Sequence, residues 1–201
     1  MSSHAVPLLL AMRLCLAAVF AYAAIGKIMN LPEFTRGVVD YALLPPRLSA
    51  AIARFVPWLE LGVAVALIAG VATPMATALA AVMLAVFIGA VTVNLHRGRL
   101  IPCHCHGLAG TETIGWGTVA RNGLLVLMAL GVFAGGLAEH TSWIDLSSTF
   151  ALILRSPSRA VMTATLLGFC LLEVYIIEWT VDVHLRSSRV RSIQLSRERS
   201  P

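Results

Sequence analysis

Charge is what this chain has least of. Asp, Glu, Lys and Arg make up 12% of its 201 residues and hydrophobic types 58%. Its mean hydropathy of +0.84 lies well outside the range of soluble domains. From Leu61 to Leu95 there is no charged residue at all. Other absences narrow the function. The chain carries no hydrolase triad, phosphate-binding loop or dinucleotide fingerprint, which argues against an ordinary metabolic enzyme. No internal repeat or low-complexity segment stands out. Met1 to Pro7 holds no Lys or Arg, and Arg13 interrupts the apolar run from Leu8 to Ala24. Although Ala21-Tyr22-Ala23 resembles a cleavage site, the missing basic n-region favours a retained span over a removed signal peptide.

What is there is apolar helix. A spanning helix needs about 20 residues. The uncharged run therefore holds two halves of a hairpin, broken at Gly70-Val71-Ala72-Thr73-Pro74, because Gly suits a helix end and Pro a helix start. Spans are expected at about 7–28, 55–71, 74–95 and 117–138. A fifth is expected at about 159–181, although its charge-free run, Ala160 to Leu172, is 13 residues long and also fits an interfacial helix. Between the first two spans, Phe34, Val38, Tyr41 and Leu44 mix with Glu33, Arg36, Asp40 and Arg47. That mixture predicts an amphipathic surface helix ending at Pro45-Pro46.

The fold class expected is all-α, a polytopic membrane helix bundle with four core transmembrane helices plus a fifth. Residues 1–138 form the membrane domain, with a loop at 96–116. Residues 139–185 hold a connecting loop and the fifth helix, and 186–201 a basic, mobile tail.

The few polar residues of the spans gather at one end. Successive spans alternate in direction, so the first and third connections lie on the same side of the membrane. Lys27, Glu60, Asn94 and the Arg121-Asn122 pair all fall near that side. Charges inside a membrane are costly and are usually paired or face a cavity, which makes Lys27 and Glu60 natural partners. The plainer alternative is that Lys27 and Arg121 snorkel to the headgroups; a short carboxylate such as Glu60 cannot do so. Arg13 and Lys27, 14 residues apart with Ala17 and Ala24 between them, share one helix face suited to packing.

The same side carries most of the positive charge: Lys27, Arg36, Arg47, Arg54, Arg97, Arg99, Arg121 and, if five helices span, the five arginines of the tail. The other side has Arg155 and Arg159. By the positive-inside rule the crowded side is cytoplasmic. The net charge of +5 is thus a topology signal and no argument for nucleic acid.

On that side lies Cys103-His104-Cys105-His106-Gly107. Two cysteines this close can close a small, strained ring, which makes a disulfide readily exchanged rather than structural. His104, His106, Arg97 and Arg99 around them favour the thiolate, the reactive species. A metal site is the competing reading, since thiolates and imidazoles suit copper or zinc. Four adjacent ligands wrap one tetrahedral ion poorly, however, and no second Cys/His cluster completes a usual zinc spacing. A merely structural pair is the third possibility. Cys15 and Cys170 fall inside spans and read as buried core residues; the bolder alternative is a second redox pair.

These residues carry a resemblance. Asn94-Leu95-His96-Arg97-Gly98-Arg99 leading to Cys103-x-Cys105-x-Gly107, then Trp116 and Arg121-Asn122, resembles the MauE family of methylamine utilisation proteins. Gly26-Lys27, Phe34, Leu43-Leu44-Pro45 and Pro57-Trp58-Leu59-Glu60-Leu61 fit the same pattern and the broader DoxX-like membrane proteins. The resemblance covers about residues 8–138. It departs at His104 and His106, where the family pattern has Gly and Phe. It implies a multi-pass accessory protein of the bacterial inner membrane that serves processing, transport or maturation of the methylamine dehydrogenase β (small) subunit. That subunit is periplasmic and disulfide-rich, and the thioredoxin-like MauD belongs to the same system.

Joined to the residues, the resemblance implies at most a thiol–disulfide exchange factor without a resident cofactor. Cys103 and Cys105 would exchange disulfides or relay electrons, with Glu60, Lys27 and Arg121 in support. The alternatives are a noncatalytic scaffold or translocation helper, and a small-solute or metal transporter with Glu60 on its pathway. A periplasmic substrate and a cytoplasmic dithiol conflict, and sided labelling resolves the conflict. In a Cys15→Ala/Cys170→Ala background, the charge count predicts that an impermeant maleimide reaches Cys103 and Cys105 only after permeabilisation. Labelling of intact cells after reduction would instead place the pair in the periplasm.

Overall fold

The structure, a computed structural model, describes residues 5–99 and 114–138 together with single helical positions between Val161 and Leu172. Five helices account for the continuous segments: α1 (Ala5–Met29), α2 (Leu31–Asp40), α3 (Pro46–Ala69), α4 (Thr73–His96) and α5 (Trp116–Ala138). No strand occurs among the described residues. Of these helices α1, α3, α4 and α5 are long and apolar enough to cross a membrane. The expected all-α membrane bundle with four core spans is therefore what the chain forms.

The four spans pack as a ring, α1 on α3, α3 on α4, α4 on α5 and α5 on α1, and α2 lies mainly against α3. Their shared seam is lined by Cys15, Leu16, Phe20, Leu67, Leu84, Leu125 and small residues such as Ala17, Ala80 and Ala129. The outer surface is as apolar as the inner one, with Phe55, Val86 and Leu127 exposed by 69%, 68% and 66%. In water this face would drive aggregation; in a bilayer it meets chains as apolar as itself.

Local chemistry sets the helix ends. Gly70 closes α3 in the left-handed region at φ 71°, and Val71 N–H reaches back to Ala66 O at 3.0 Å. Pro74 then sits in the first turn of α4, where its missing N–H costs nothing. At the other end of α4, Gly98 has φ 68°. Its N–H bonds Leu95 O, and Arg99 N–H bonds Asn94 O, both at 3.0 Å. That pair of bonds is a Schellman motif, which satisfies the last carbonyls and turns the chain sharply.

The structure differs from the sequence expectation between the first two spans. The surface helix ends at Asp40, not at Pro45-Pro46, and the second span begins at Pro46 rather than near Phe55. The two prolines start a helix here instead of ending one: Pro45 stands at the N-cap and Pro46 in the first turn. Hydropathy marks where the chain becomes apolar, whereas the helix extends beyond that point toward the polar side. For the expected fifth span, Val161, Thr165 and Leu167 are helical. Thr165 Oγ1 donates to Val161 O at 2.9 Å, and Leu167 packs on the core. The remainder of 159–181, the connecting loop and the tail lie outside the described residues.

Glycines allow α5 to approach α1 closely. A Cβ at Gly135 would stand 2.6 Å from Leu9 Cδ1, and one at Gly131, a turn earlier, would stand 4.0 Å from Met12 Sδ. Gly135→Val should therefore overpack the α1–α5 seam and destabilise the protein by about 1–3 kcal/mol in detergent melts. Leu9→Ala in the same chain should recover most of that loss. An equal loss with and without Leu9→Ala would show that the valine does not meet α1 there.

Candidate functional site

Lys27, Asn94, Arg121 and Asn122 lie near the ends of their helices that border the first and third connections, and Glu60 joins Lys27 there. Lys27 lies in the last turn of α1, where a cation is favoured by the helix dipole. Glu60 lies on the buried face of α3 with Pro57, Val63 and Ala64. Lys27 Nζ donates a buried hydrogen bond to Glu60 Oε1 and forms an ion pair with it. Each residue is only 8% exposed, so Lys27 does not snorkel. It also sits 5.3 Å from the ring centroid of Phe34 on α2, within cation–π range. One ammonium thus ties together α1, α2 and α3. Pro57, inside α3, removes the N–H that would bond Ala53 O and loosens the helix one turn before the carboxylate. Glu60 Oε2 accepts no hydrogen bond among the described residues.

On the facing pair of helices, Asn94 is fully buried near the end of α4, and Thr118, Arg121 and Asn122 are buried near the start of α5. Asn94 Nδ2 donates to Ala90 O at 3.0 Å, and Asn122 Nδ2 to Thr118 O at 2.7 Å. Both amides fold back on their own helix, and Asn94 Oδ1 has no partner among the described residues. Arg121 shares this end of the bundle with Lys27 and Glu60, but on α5.

Cys103, His104, Cys105 and His106 lie outside the described residues, so the structure defines the frame around them. The segment leaves α4 through the turn at Gly98, and Arg99 Nη1 donates to Asp40 O of α2 at 3.4 Å. It re-enters at Ile114, which is buried against Val91 with Tyr41, Phe87, Leu95 and Val119 around them. His96 and Trp116, the last residue of α4 and the first of α5, meet edge to face with ring centroids 5.8 Å apart. Burial pushes the Tyr41 phenol up to about 12, so it stays neutral at physiological pH. Cys15 is fully buried in the α1 seam, as a core residue should be; Cys170 lies outside the described residues. Among the described residues no group of His, Cys, Asp and Glu could hold a metal.

Sequence reasoning found the ion pair but missed the aromatic contacts at this end of the bundle. From patterning, Phe34 and Tyr41 were legible as the apolar side of a surface helix and not by their contacts. The His96–Trp116 contact had one available signal, since each aromatic falls at the helix end bordering the same loop.

Fold and site together define a polytopic helical membrane protein with a buried ion pair between its first two spans. The family described as Methylamine utilisation protein MauE matches residues 5–135, which take in α1 to α4 and most of α5. The chain is 38% identical over 173 residues to the Methylamine utilization protein MauE of Paracoccus versutus, covering 79% of this chain and 93% of that one. With the Paracoccus denitrificans protein of the same name it shares 33% over 160 residues, 79% of this chain and 86% of the relative. With that of Methylophilus methylotrophus it shares 36% over 137 residues, 67% and 71% of the two chains. No solved structure matches significantly. This chain belongs to the MauE family and so to methylamine utilisation.

The ion pair carries its own test. Removing one member strands a buried charge, so Lys27→Met or Glu60→Leu alone should cost about 3–5 kcal/mol. The double variant should lose less than either single one in detergent melts, because two apolar side chains replace two mutually compensating charges. Strictly additive losses would show that the two residues do not act as a pair.

Proposed function

We propose that this protein is an accessory factor of the bacterial inner membrane that supports maturation of the small subunit of methylamine dehydrogenase by thiol–disulfide exchange at Cys103 and Cys105. The observation that supports this reading best is the anchoring of both ends of the dithiol segment at the polar end of a MauE-family bundle. Arg99 is tethered to α2, Ile114 is buried, and the His96–Trp116 contact borders the segment on both sides. Arg97 and Arg99, both exposed, favour a thiolate nearby.

In the exchange itself one thiolate attacks a disulfide sulfur of the partner and forms a mixed disulfide. The second thiol then attacks that bond, leaving Cys103–Cys105 oxidised and the partner carrying two thiols. Two electrons and two protons move per cycle, and the reverse sequence oxidises the partner. A thioredoxin-like protein such as MauD is the class of partner that resets the pair. Lys27, Glu60 and Arg121 support the site through the bundle; in this reading they are positioning residues.

Replacing both cysteines, Cys103→Ser/Cys105→Ser, should abolish accumulation of active small subunit while leaving the membrane level of this protein unchanged. A single Cys105→Ser should trap a mixed disulfide, visible as a reducible higher band on a gel. Intact maturation in the double variant would favour a scaffold or translocation helper. Metal copurifying with the protein, together with loss of transport in Glu60→Gln, would favour a transporter.

A further inference from the structure

The outward face of α3 carries features that neither the ion pair nor the dithiol uses. Arg47 and Arg54 are both exposed, and neither makes a hydrogen bond or ion pair among the described residues. At about 100° per residue, Arg47, Ala51, Arg54 and Trp58 fall on one stripe of the helix, and all four are exposed. The two arginines stand about 10 Å apart along the axis. Ala51 between them is small enough for both guanidiniums to swing over it. The acidic residue of α3, Glu60, is buried on the opposite face against Lys27, so no carboxylate of this helix competes for them.

Toward the middle of the bilayer the same face changes character in order. Trp58 is 59% exposed, an amphipathic ring of the kind that settles at headgroup level. One turn further, Gly62 is exposed with nothing within 4 Å of where a Cβ would stand, a notch beside the exposed Val65. Two cations, an interfacial aromatic and an apolar notch follow the order of a phospholipid read from headgroup to chain. A free phosphate ion uses only the first of these features.

We propose that this stripe of α3 binds one anionic phospholipid. Its phosphate is held between Arg47 and Arg54, its glycerol region lies against Trp58, and an acyl chain runs through the notch at Gly62. Two guanidiniums suit a phosphate better than any other common headgroup group, and juxtamembrane cations draw anionic lipid to the surface. The bound lipid would also fix the rotation of α3 that keeps Glu60 facing inward.

The test uses the full chain purified in dodecyl maltoside, with native mass spectrometry and thermal unfolding as readouts. Phosphatidylglycerol should be retained in preference to phosphatidylcholine by about tenfold or more and should raise the melting temperature further. Arg47→Gln/Arg54→Gln should lose that preference while melting like the parent in phosphatidylcholine. Ala51→Trp keeps both arginines but fills the space between them, and should lose it too. Equal retention of the two lipids by the parent overturns the proposal. So does an equal rise in melting temperature with inorganic phosphate, or a preference that survives Ala51→Trp.

Discussion

Hydrocarbon offers no water to a buried polar group, and the arrangement of this bundle follows from that. Each charge placed inside must find its partner within the protein. Lys27 and Glu60 are 33 positions apart in the chain, and the packing of α1 on α3 brings them together. Once they meet, Phe34 over the ammonium places α2, and α2 in turn receives Arg99 from the end of α4. The frame of the dithiol segment is thus linked, contact by contact, to one ion pair.

Stability alone does not explain that pair. The cost of desolvating two ions roughly cancels their attraction, and two well-packed apolar side chains often do as well or better. An apolar α1–α3 seam was open to this sequence, since Cys15, Leu16, Val63 and Leu67 already form one further along. The carboxylate is also only half used, with Oε1 on Lys27 and Oε2 without a partner among the described residues. The pair therefore fits a role in specificity, or the supporting role proposed for it above.

Much of this was legible in the chain because a bilayer leaves few choices. The uncharged run from Leu61 to Leu95 admits little except a hairpin of spans, and parity places Lys27 and Glu60 on one side without any coordinates. The errors have a common cause. Hydropathy sees the bilayer boundary, not the helix boundary, so the nine polar-side residues of α3 from Pro46 to Arg54 were left out of the second span. Close approaches were hidden for another reason. Gly135 on Leu9 and His96 on Trp116 depend on how helices rotate against one another, which composition and spacing do not encode. Family resemblance contributed what periodicity could not, the connection of this chain to methylamine utilisation.

The orientation conflict survives the structure in a sharper form. Lys27 is cancelled by Glu60, and Arg121 is buried, so neither is an ordinary loop charge for the positive-inside balance. Arg36, Arg47, Arg54, Arg97 and Arg99 remain, all exposed at the dithiol end, and they still point that end to the cytoplasm. If the dithiol does face inward, serving a periplasmic subunit requires two electrons to cross the bundle. Thiol exchange works only by direct contact between sulfurs, so such a crossing needs a second pair inside. Cys15 lies 12 positions before Lys27, about 18 Å deeper along α1, and it is one sulfur, whereas a disulfide needs two. A transmembrane route would therefore need Cys170 to meet Cys15 and that pair to exchange in turn with Cys103 or Cys105. Without those contacts, the thiol exchange proposed above would need Cys103, Cys105 and their substrate on one side, and the arginine balance would have to yield.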